Sequence, residues 1–263
     1  MKLKIENLSF KIDSTKILKD INFNIKKGEF VGVIGPNGCG KSTLLKNIYN
    51  ILTPTKGSIF IDNISIDDFS SKELAKKIST LTQHSGGDFD FSIIDIVLMG
   101  RYAHSSMFSS TSKTDLKIAK DALNKVGLSH FESRSFLSLS GGEQQRVMIA
   151  RAIAGENDFF ILDEPTNHLD IKYQLEIMDI MKSLDITMFS AIHDMNIAAT
   201  YCDKLILLKE GNIAAIGTPT EVLSKENFKG VFDVEVYLST NPYTNKLSIN
   251  YIPKCFSNKQ KGL

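Results

Sequence analysis

The sequence of 263 residues has few cysteines and no long apolar run. No stretch approaches the roughly 18–20 apolar residues of a membrane-spanning helix, so we expect no membrane span. The first ten residues alternate apolar and polar side chains and lack the apolar core of a signal peptide, which favours a strand. The three cysteines, Cys39, Cys202 and Cys255, are widely spaced. They predict neither a disulfide framework nor a zinc site and fit a reducing compartment.

The sequence also lacks an excess of charge of either sign, with 31 lysines and arginines against 30 aspartates and glutamates. The formal net charge is +1, so there is no overall basic surface and we expect no nucleic-acid partner. Hydrophobic residues make up 42% and charged residues 23% of the chain, which is ordinary for a globular protein. The length suits one large domain or two small ones.

Apolar strands and amphipathic helices alternate along most of the chain. Residues 21–25 alternate as a half-buried strand does, whereas residues 30–34 form a continuous apolar run that fits a strand buried on both faces. The segment from about 84 to 139 differs, because glycine and serine breaks separate helical stretches near 93–100 and 113–126. The alternation favours a mostly parallel sheet covered by helices, with the middle segment as a mainly helical insertion.

Residues 35–42, GPNGCGKS, match the phosphate-loop pattern G-x-x-x-x-G-K-[ST] without a mismatch, and with Thr43 they stand between a predicted strand and a predicted helix. Glycines let the backbone curl so that its amides face phosphates. Lys41 supplies a positive charge to the β- and γ-phosphates, and Ser42 can ligate magnesium. We therefore predict phosphate contacts from the whole loop: Gly35, Pro36, Asn37, Gly38, Cys39, Gly40, Lys41, Ser42 and Thr43.

A second candidate anion site lies at LSGGEQQR, residues 139–146. Gly141 and Gly142 after Ser140 leave backbone N–H groups uncovered at the start of a predicted helix. Its predicted apolar side consists of Val147, Ile149, Ala150, Ile153 and Ala154. Such a helix start attracts anions, because its dipole and its unpaired donors point the same way. A bare Ser-Gly-Gly is more typical of a serine N-cap and a glycine turn, but the phosphate loop upstream favours the anion site.

The two loops together resemble the ATP-binding-cassette ATPases, whose signature is LSGGQ. Glu143 at the fifth position is a common variant. The resemblance extends from about Lys4 to about Gly217 and implies ATP and Mg²⁺ as cofactors. It implies an α/β fold of the P-loop NTPase (RecA-like) class, with a mostly parallel sheet, an N-terminal antiparallel β subdomain and a helical subdomain inserted at about 84–150. Residues 1–235 would form the nucleotide-binding domain, and residues 236–263 a C-terminal extension with a polar tail.

An apolar strand ends in two acids at residues 159–164, FFILDE. Alone, this pattern is more often a strand end that meets solvent. Because the pattern follows both loops in the sequence, Asp163 matches the family residue that holds magnesium, and Glu164 is placed to orient or deprotonate water.

Three further residues match family positions whose patterns are weak in isolation. Gln83 matches the glutamine that links magnesium and the attacking water to the helical insertion. Asp170 matches the D-loop aspartate, and His193 matches the histidine that contacts the γ-phosphate. The resemblance thus assigns catalysis to Glu164, His193, Gln83 and Lys41, and metal binding to Ser42, Gln83 and Asp163. We expect structural roles for the other histidines: His84, His104, His130 and His168.

Adenine binding is the one expected feature without an obvious residue. The family usually places an aromatic side chain near the end of the first strand, and that position falls at or beside Ile12. Isoleucine offers an apolar face but no stacking, so the adenine contact should be weaker or supplied elsewhere. Phe10 is an alternative. It lies two residues before Ile12, so in a strand both side chains are on the same face, and that face also fits the core.

The resemblance implies a head-to-tail dimer. Ser140, Gly141 and Gly142 of one chain would contact the γ-phosphate held by the phosphate loop of a second copy. The same surfaces in both chains give a two-fold assembly. ATP would join the copies, and hydrolysis would release them.

Without a membrane span, the chain must act on another protein. Residues 91–104, FSIIDIVLMGRYAH, resemble the segment after the Q-loop of importer ATPases for iron–siderophore, haem and cobalamin, where GRYPH recurs. Ala103 here replaces the proline, and RYAH alone is also typical of an exposed helix end. Residues 217–232 are similar to the same group. We expect such an importer subunit, peripheral at the cytoplasmic face of the cell membrane. Its partners would be polytopic permease subunits and, indirectly, an extracytoplasmic binding protein.

Two alternatives stay open. The chain fits an importer ATPase for zinc, manganese or another small solute, and its length also fits a soluble cassette ATPase of iron–sulfur assembly. The sequence does not specify the transported substrate, because substrate contacts belong to other subunits.

Cys39 is an unusual residue inside the phosphate loop. The loop amides, Lys41 and the helix dipole should all stabilise a thiolate, so we expect an exposed, reactive thiol with a low pKa. Cys39 also fits a position where serine or alanine would serve equally well.

Overall fold

The computed structural model describes residues 1–82, 91–104 and 112–257. The chain divides into two compact units. Unit one contains Met1–Ser65 and Phe189–Leu263, and unit two contains Ile66–Met188. Gln83 lies outside the described residues, as do His84 and most of the expected polar tail, so the interpretations of these residues stay predictions.

Strands and short helices alternate over these ranges. The strands are β1 (Leu3–Ile12), β2 (Thr15–Ile25), β3 (Phe30–Ile34), β4 (Lys56–Ile61), β5 (Ile64–Ser65), β6 (Ser79–Leu81), β7 (Phe159–Asp163), β8 (Thr187–Ala191), β9 (Lys204–Lys209), β10 (Asn212–Gly217), β11 (Glu235–Thr240) and β12 (Leu247–Ile252). The α-helices are α1 (Lys41–Ile48), α2 (Ser71–Ala75), α3 (Ile93–Leu98), α4 (Lys113–Lys125), α5 (Gly141–Ala154), α6 (Ile171–Ser183), α7 (Met195–Tyr201), α8 (Pro219–Val222), α9 (Lys225–Asn227) and α10 (Lys254–Ser257). Among the described residues, no helix has both the length and the apolar character to cross a membrane.

Unit one begins with an antiparallel sheet in the order β2-β1-β4-β5. Its strands alternate as the sequence predicts: Ile21, Phe23 and Ile25 of β2 are buried, and the residues between them are exposed. One face of an antiparallel sheet therefore packs on a core while the other meets solvent. This sheet matches the predicted N-terminal antiparallel β subdomain.

The phosphate loop follows a strand that is buried along its whole length. All five residues of β3 are buried, and β3 pairs in parallel with β9, whose residues 205–208 are also buried. β9 also pairs with β10, in the antiparallel direction. The continuous apolar run 30–34 thus forms a strand buried on both faces, as predicted.

The end of unit one contains regular secondary structure beyond residue 235. β11 and β12 pair as an antiparallel hairpin, and Val236 of β11 and Ile249 of β12 are buried. A π-helical turn at Phe228–Phe232 precedes the hairpin. The expected extension 236–263 therefore contains a structured hairpin up to Ile252, and the division at residue 235 stays a prediction.

Unit two combines β6, paired in parallel with β7, and the helices α3, α4 and α5. Helix α5 buries four of its five predicted apolar residues, whereas Ile153 is only half-buried. Met148 and Ala152 are buried as well, so α5 is enclosed on more than one side. The described part of the middle segment is thus mainly helical, as predicted.

Candidate nucleotide-binding site

The phosphate loop has a backbone that only glycine tolerates at several positions. Gly35, Gly38 and Gly40 have φ angles of 151°, 76° and 109°. A Cβ atom on Gly35 would collide with the carbonyl oxygen of Leu208, and one on Gly40 would lie 2.8 Å from Cδ2 of Leu18. The curled backbone that phosphate binding requires is therefore fixed by sterics.

Lys41 places its ammonium group inside this loop. Its side chain is buried, and Nζ donates hydrogen bonds to the carbonyl oxygens of Gly35 at 2.8 Å and Pro36 at 3.2 Å. Lys41 is also the first residue of α1, so the charge lies where the helix dipole already favours an anion.

The rest of the loop is more open. Asn37 and Gly38 are exposed, and Ser42 and Thr43 are half-buried. The carbonyl oxygen of Thr43 accepts a hydrogen bond of 2.8 Å from the side chain of Asn47 within α1.

A turn distant in sequence supports the loop. The N–H of Gly211, between β9 and β10, donates to the carbonyl oxygen of Cys39 at 3.2 Å, and the carbonyl oxygen of Gly211 accepts from Lys19 at 2.8 Å. A Cβ atom on Gly211 would collide with the carbonyl oxygen of Ile17. No pattern in the sequence predicts this support, because a Glu-Gly pair in a hairpin normally indicates only the turn itself.

The expectation for Cys39 is wrong in this structure. Its side chain is only 4% exposed, so it is not an accessible thiol. Burial raises the pKa of the Cys39 thiol, and the charge of Lys41 only partly opposes this effect. Loss of solvation outweighs the nearby positive charge because a thiolate in an apolar environment loses its hydration.

His193 is exposed in the loop between β8 and α7 of unit one. The residue before it, Ile192, donates its N–H to the carbonyl oxygen of Val33 at 3.1 Å. The residue after it, Asp194, is the N-cap of α7 and accepts hydrogen bonds from the N–H groups of Asn196 and Ile197. The position of His193 is therefore set by an anchored strand end and a capped helix start.

Ile12 is the last residue of β1 and lies at the protein surface. Its side chain is 54% exposed, and it pairs with Thr15 across the β1–β2 turn. Phe10 is half-buried. The core interpretation of Ile12 is therefore wrong, and the position is open to a ligand.

In unit two, the two acids at the end of β7 differ in environment. Asp163 is buried at the last position of the strand. Glu164 is half-buried with a φ of 54°, a left-handed conformation that is uncommon for glutamate. Its Oε2 accepts a hydrogen bond of 2.9 Å from the side chain of Asn167.

Ser140 is the N-cap of α5 and forms a reciprocal capping box with Glu143. Oγ of Ser140 accepts from the N–H of Glu143, while the Glu143 carboxylate accepts from the N–H and the hydroxyl of Ser140 at 2.9 and 2.7 Å. These bonds hold the pKa of Glu143 below its usual range. The variant residue of the signature thus fixes the helix start.

The two signature glycines differ in their surroundings. A Cβ atom on Gly142 would lie 2.8 Å from the ring of Tyr173, whereas one on Gly141 would meet only Leu169, at 3.9 Å. Gly142 therefore permits close packing against α6, and Gly141 is exposed. Asp170 is the exposed N-cap of α6, and its side chain makes no cap hydrogen bond.

The RYAH segment binds the C-terminal end of α5. Arg101 is buried and donates to the carbonyl oxygen of Ala154 at 2.8 Å and to the carboxylates of Asp115 and Glu156 at 2.9 and 2.7 Å. Nε2 of His104 lies 3.0 Å from the carbonyl oxygen of Gly155. The alternative interpretation of RYAH as an exposed helix end does not fit the buried Arg101, because the segment binds the end of the helix whose other end carries the signature.

The buried strand, the curled glycine loop and the lysine at the helix start define a P-loop nucleotide-binding protein. A family model described as ABC transporter matches residues 18–167, more than half of the chain. The chain therefore belongs to the ATP-binding-cassette transporter family, and the predicted family and fold class are confirmed.

Two relatives illustrate the likeness. A cobalamin import ATP-binding protein of Halobacterium salinarum is 35% identical over 96% of this chain and 64% of its own length. The chain thus spans less than two thirds of that relative. An iron(3+)-hydroxamate import ATP-binding protein of Bacillus subtilis is 36% identical over 93% of this chain and 92% of its own length.

Two solved structures share the fold. The first is described as a metal-chelate type ABC transporter in an inward-facing conformation. It has a TM-score of 0.85 at 31% identity and covers 97% of this chain and 98% of that one. The second is a dimeric bacterial ABC transporter cassette, with a TM-score of 0.72 at 32% identity and coverage of 82% and 98%.

Proposed function

We propose that this chain is the ATP-hydrolysing subunit of an importer for iron–siderophore, haem or cobalamin. The observation that carries the proposal is the sterically fixed phosphate loop on a chain that is similar, over 93–96% of its residues, to import ATP-binding proteins of cobalamin and iron(3+)-hydroxamate. The solved transporter of metal-chelate type supports the same substrate class.

The phosphate loop would hold the nucleotide. Its glycines leave the backbone amides uncovered, and Lys41 supplies the charge for the β- and γ-phosphates. Ile12 offers an exposed apolar surface for adenine.

The residues also fit Mg²⁺, which neutralises charge on the phosphates in enzymes of this class. Hydroxyl and carboxylate oxygens are the ligands that Mg²⁺ prefers, and the chain offers Ser42 at the start of α1 and the buried Asp163 at the end of β7. Gln83 is the third proposed ligand.

Glu164 is the proposed general base. Its left-handed backbone and the hydrogen bond from Asn167 fix its carboxylate at the strand end. His193 would contact the γ-phosphate, and Asp170 would act at the interface between two copies.

We propose that two copies pair head to tail. Ser140 and Gly141 are exposed at the N-terminus of a capped helix of fourteen residues, which gives the partner's γ-phosphate an anion site. The dimeric cassette of similar fold supports this arrangement. Because each chain brings both surfaces, the assembly is a closed two-fold dimer.

The dimer can be tested by mixing variants. Ser140→Arg should abolish hydrolysis while the variant still binds ATP, because the signature acts on the partner's nucleotide. An equal mixture of Ser140→Arg and Lys41→Ala should recover activity, since mixed dimers contain one intact site. If Ser140→Arg alone lost ATP binding, the signature would act on its own nucleotide.

The permease contact is proposed at a cleft of about 330 Å³ in unit two, lined by α2, β6, α5 and residues 99–103. Arg151 lines this cleft and is partly buried. Burial lowers the pKa of its guanidinium, so a carboxylate from a partner would offset the lost solvation. The exposed ring of Tyr102 adds apolar surface at the same cleft.

These contacts would place the chain at the cytoplasmic face of the cell membrane, where it acts indirectly with an extracytoplasmic binding protein. Affinity purification from membranes, followed by identification of the co-purified permease and uptake assays, tests the proposal. Uptake of a labelled siderophore, haem or cobalamin that stops with Glu164→Gln would support it. Uptake of zinc or manganese instead, or recovery of iron–sulfur assembly proteins without a permease, would contradict it.

A further inference from the structure

The side chain of Asn196 joins the first turn of α7 to the C-terminal hairpin. Its Nδ2 donates to the carbonyl oxygen of Ile249 at 3.2 Å, and its Oδ1 accepts from the N–H of the same residue at 2.8 Å. The amide of Asn196 thus pairs with β12 much as a neighbouring strand would. The contact uses both its donor and its acceptor, so no other side chain of similar size reproduces it.

Helix α7 depends on such contacts for its position. It has only seven residues, and isolated helices shorter than about 12–15 residues are marginal in water. Its start is tied to the His193 loop through Asp194, whose Oδ1 accepts from the N–H groups of Asn196 at 2.7 Å and Ile197 at 3.0 Å. A displacement of Asn196 would therefore reach His193, three residues earlier, through a single capped turn.

We propose that the C-terminal hairpin positions His193 for the γ-phosphate, and that Asn196 is the positioning residue that connects them. The proposal rests on the ATPase function proposed above. It gives the hairpin a role in turnover: β12 holds α7, Asp194 fixes the start of α7, and the loop before Asp194 presents the imidazole.

The first test compares three variants. Asn196→Ala removes both hydrogen bonds, and Asn196→Asp keeps the acceptor for the N–H of Ile249 but loses the donor. Asn250→Ala is the matched control, because within the described part of the chain the Asn250 side chain bonds only to Tyr237 and Ser239 of the same hairpin. We expect Asn196→Ala to lower kcat about 10- to 100-fold with little change in KM for ATP, since misplacement of a positioned group acts on the chemical step. Asn196→Asp should lower kcat at least as much, because it sets a carboxylate oxygen against the carbonyl oxygen of Ile249, and Asn250→Ala should match the wild type.

A double-mutant cycle separates positioning from general loosening. If Asn196 acts through His193, Asn196→Ala should have no further effect on the residual kcat of His193→Ala. An equal fractional loss in both backgrounds would overturn the proposal, as would a His193→Ala variant with wild-type kcat.

A second readout needs no activity. The chain has five histidines, so ring signals of selectively labelled histidine can be assigned to His193 with the His193→Ala variant. Asn196→Ala should shift the His193 ring signal, and Asn250→Ala should not. A wild-type chain without ATPase activity would refute the proposed function, while the ring signals would still test the link. An unmoved His193 signal in Asn196→Ala would refute the link alone.

Discussion

Gln145 and Pro165 are joined by a hydrogen bond of 2.7 Å from the side-chain amide of Gln145 to the carbonyl oxygen of Pro165. Gln145 lies on α5, five residues after the signature serine, and Pro165 directly follows Glu164. Pro165 is buried and Gln145 is half-buried, so the carbonyl group of Pro165 has a fixed partner at a partly buried position. Within unit two, the helix that starts at the signature is therefore linked to the segment that carries the proposed base.

Replacement of Gln145 should slow hydrolysis without weakening ATP binding. Gln145→Ala removes the donor, and Gln145→Glu keeps the length but cannot donate when ionised. Both should lower kcat about 10- to 100-fold, because the Glu164 segment loses its fixed position. Steady-state kinetics with a separate ATP-binding measurement would check this. Wild-type kcat in either variant would show that the hydrogen bond is dispensable.

Glu164→Gln should retain ATP binding but almost stop turnover. The amide cannot accept a proton from water, and loss of a general base typically costs about 10²–10⁴-fold. ATP should then trap a dimer that size-exclusion chromatography detects. Glu143→Gln is the matched control, since the same change in the capping box should preserve activity. Near-normal hydrolysis by Glu164→Gln would assign the base elsewhere.

The capping box should make α5 sensitive to acid. The folded pKa of Glu143 is lowered mainly by hydrogen bonds from Ser140, so its stabilisation is present above the unfolded pKa and is lost as pH falls through the folded value. At pH 7 the wild type should exceed Glu143→Gln in stability by about 0.3–1 kcal/mol, the typical value of a carboxylate at a helix N-terminus. Thermal unfolding at pH 7 and below pH 4 would test this. If the stability difference between the wild type and Glu143→Gln stayed constant with pH, an ionised Glu143 cap would be excluded.

Much of the fold follows from patterns in the sequence. Alternation predicts β2, the continuous apolar run predicts β3, and glycine spacing predicts the loop that sterics then enforce at Gly35. The patterns themselves lie within a few residues, so local sequence is sufficient to predict these elements, although the carbonyl oxygen that excludes a Cβ atom at Gly35 belongs to the distant Leu208.

Other features depend on contacts that are distant in sequence. The support of Cys39 by Gly211 and the pairing of Asn196 with Ile249 join segments far apart along the chain. Hydrophobic periodicity in the sequence does not predict such contacts. The error at Cys39 has the same origin: the nearby charge is visible in the sequence, but the burial that outweighs it is a property of the fold.

Ile12→Tyr should tighten ATP binding if position 12 faces adenine. Stacking of a base on an aromatic ring is worth about 1–3 kcal/mol in nucleic-acid sites, and we expect the lower end here. Because Ile12 is 54% exposed, the larger ring should cost little stability. Titration with ATP, beside thermal unfolding, would measure both quantities. Unchanged affinity with unchanged stability would show that adenine binds elsewhere.

Cys39 should react more slowly with maleimide than Cys255, contrary to the expectation from sequence. Cys255 is exposed, whereas Cys39 and Cys202 are buried. The raised pKa of Cys39 lowers the thiolate fraction at neutral pH, and the thiolate is the reacting species. We expect labelling of Cys39 to be roughly tenfold or more slower than that of Cys255.

Mass spectrometry of quenched time points would give the order of labelling. Cys202 is the matched control, because it is buried but is not part of the phosphate loop. If Lys41 partly offsets burial, Cys39 should label faster than Cys202 and slower than Cys255. Cys39→Ser should keep wild-type ATPase activity, since the position contributes backbone contacts such as the hydrogen bond from Gly211. Labelling of Cys39 as fast as Cys255 in the folded protein would mean that the positive charge of Lys41 outweighs the loss of solvation.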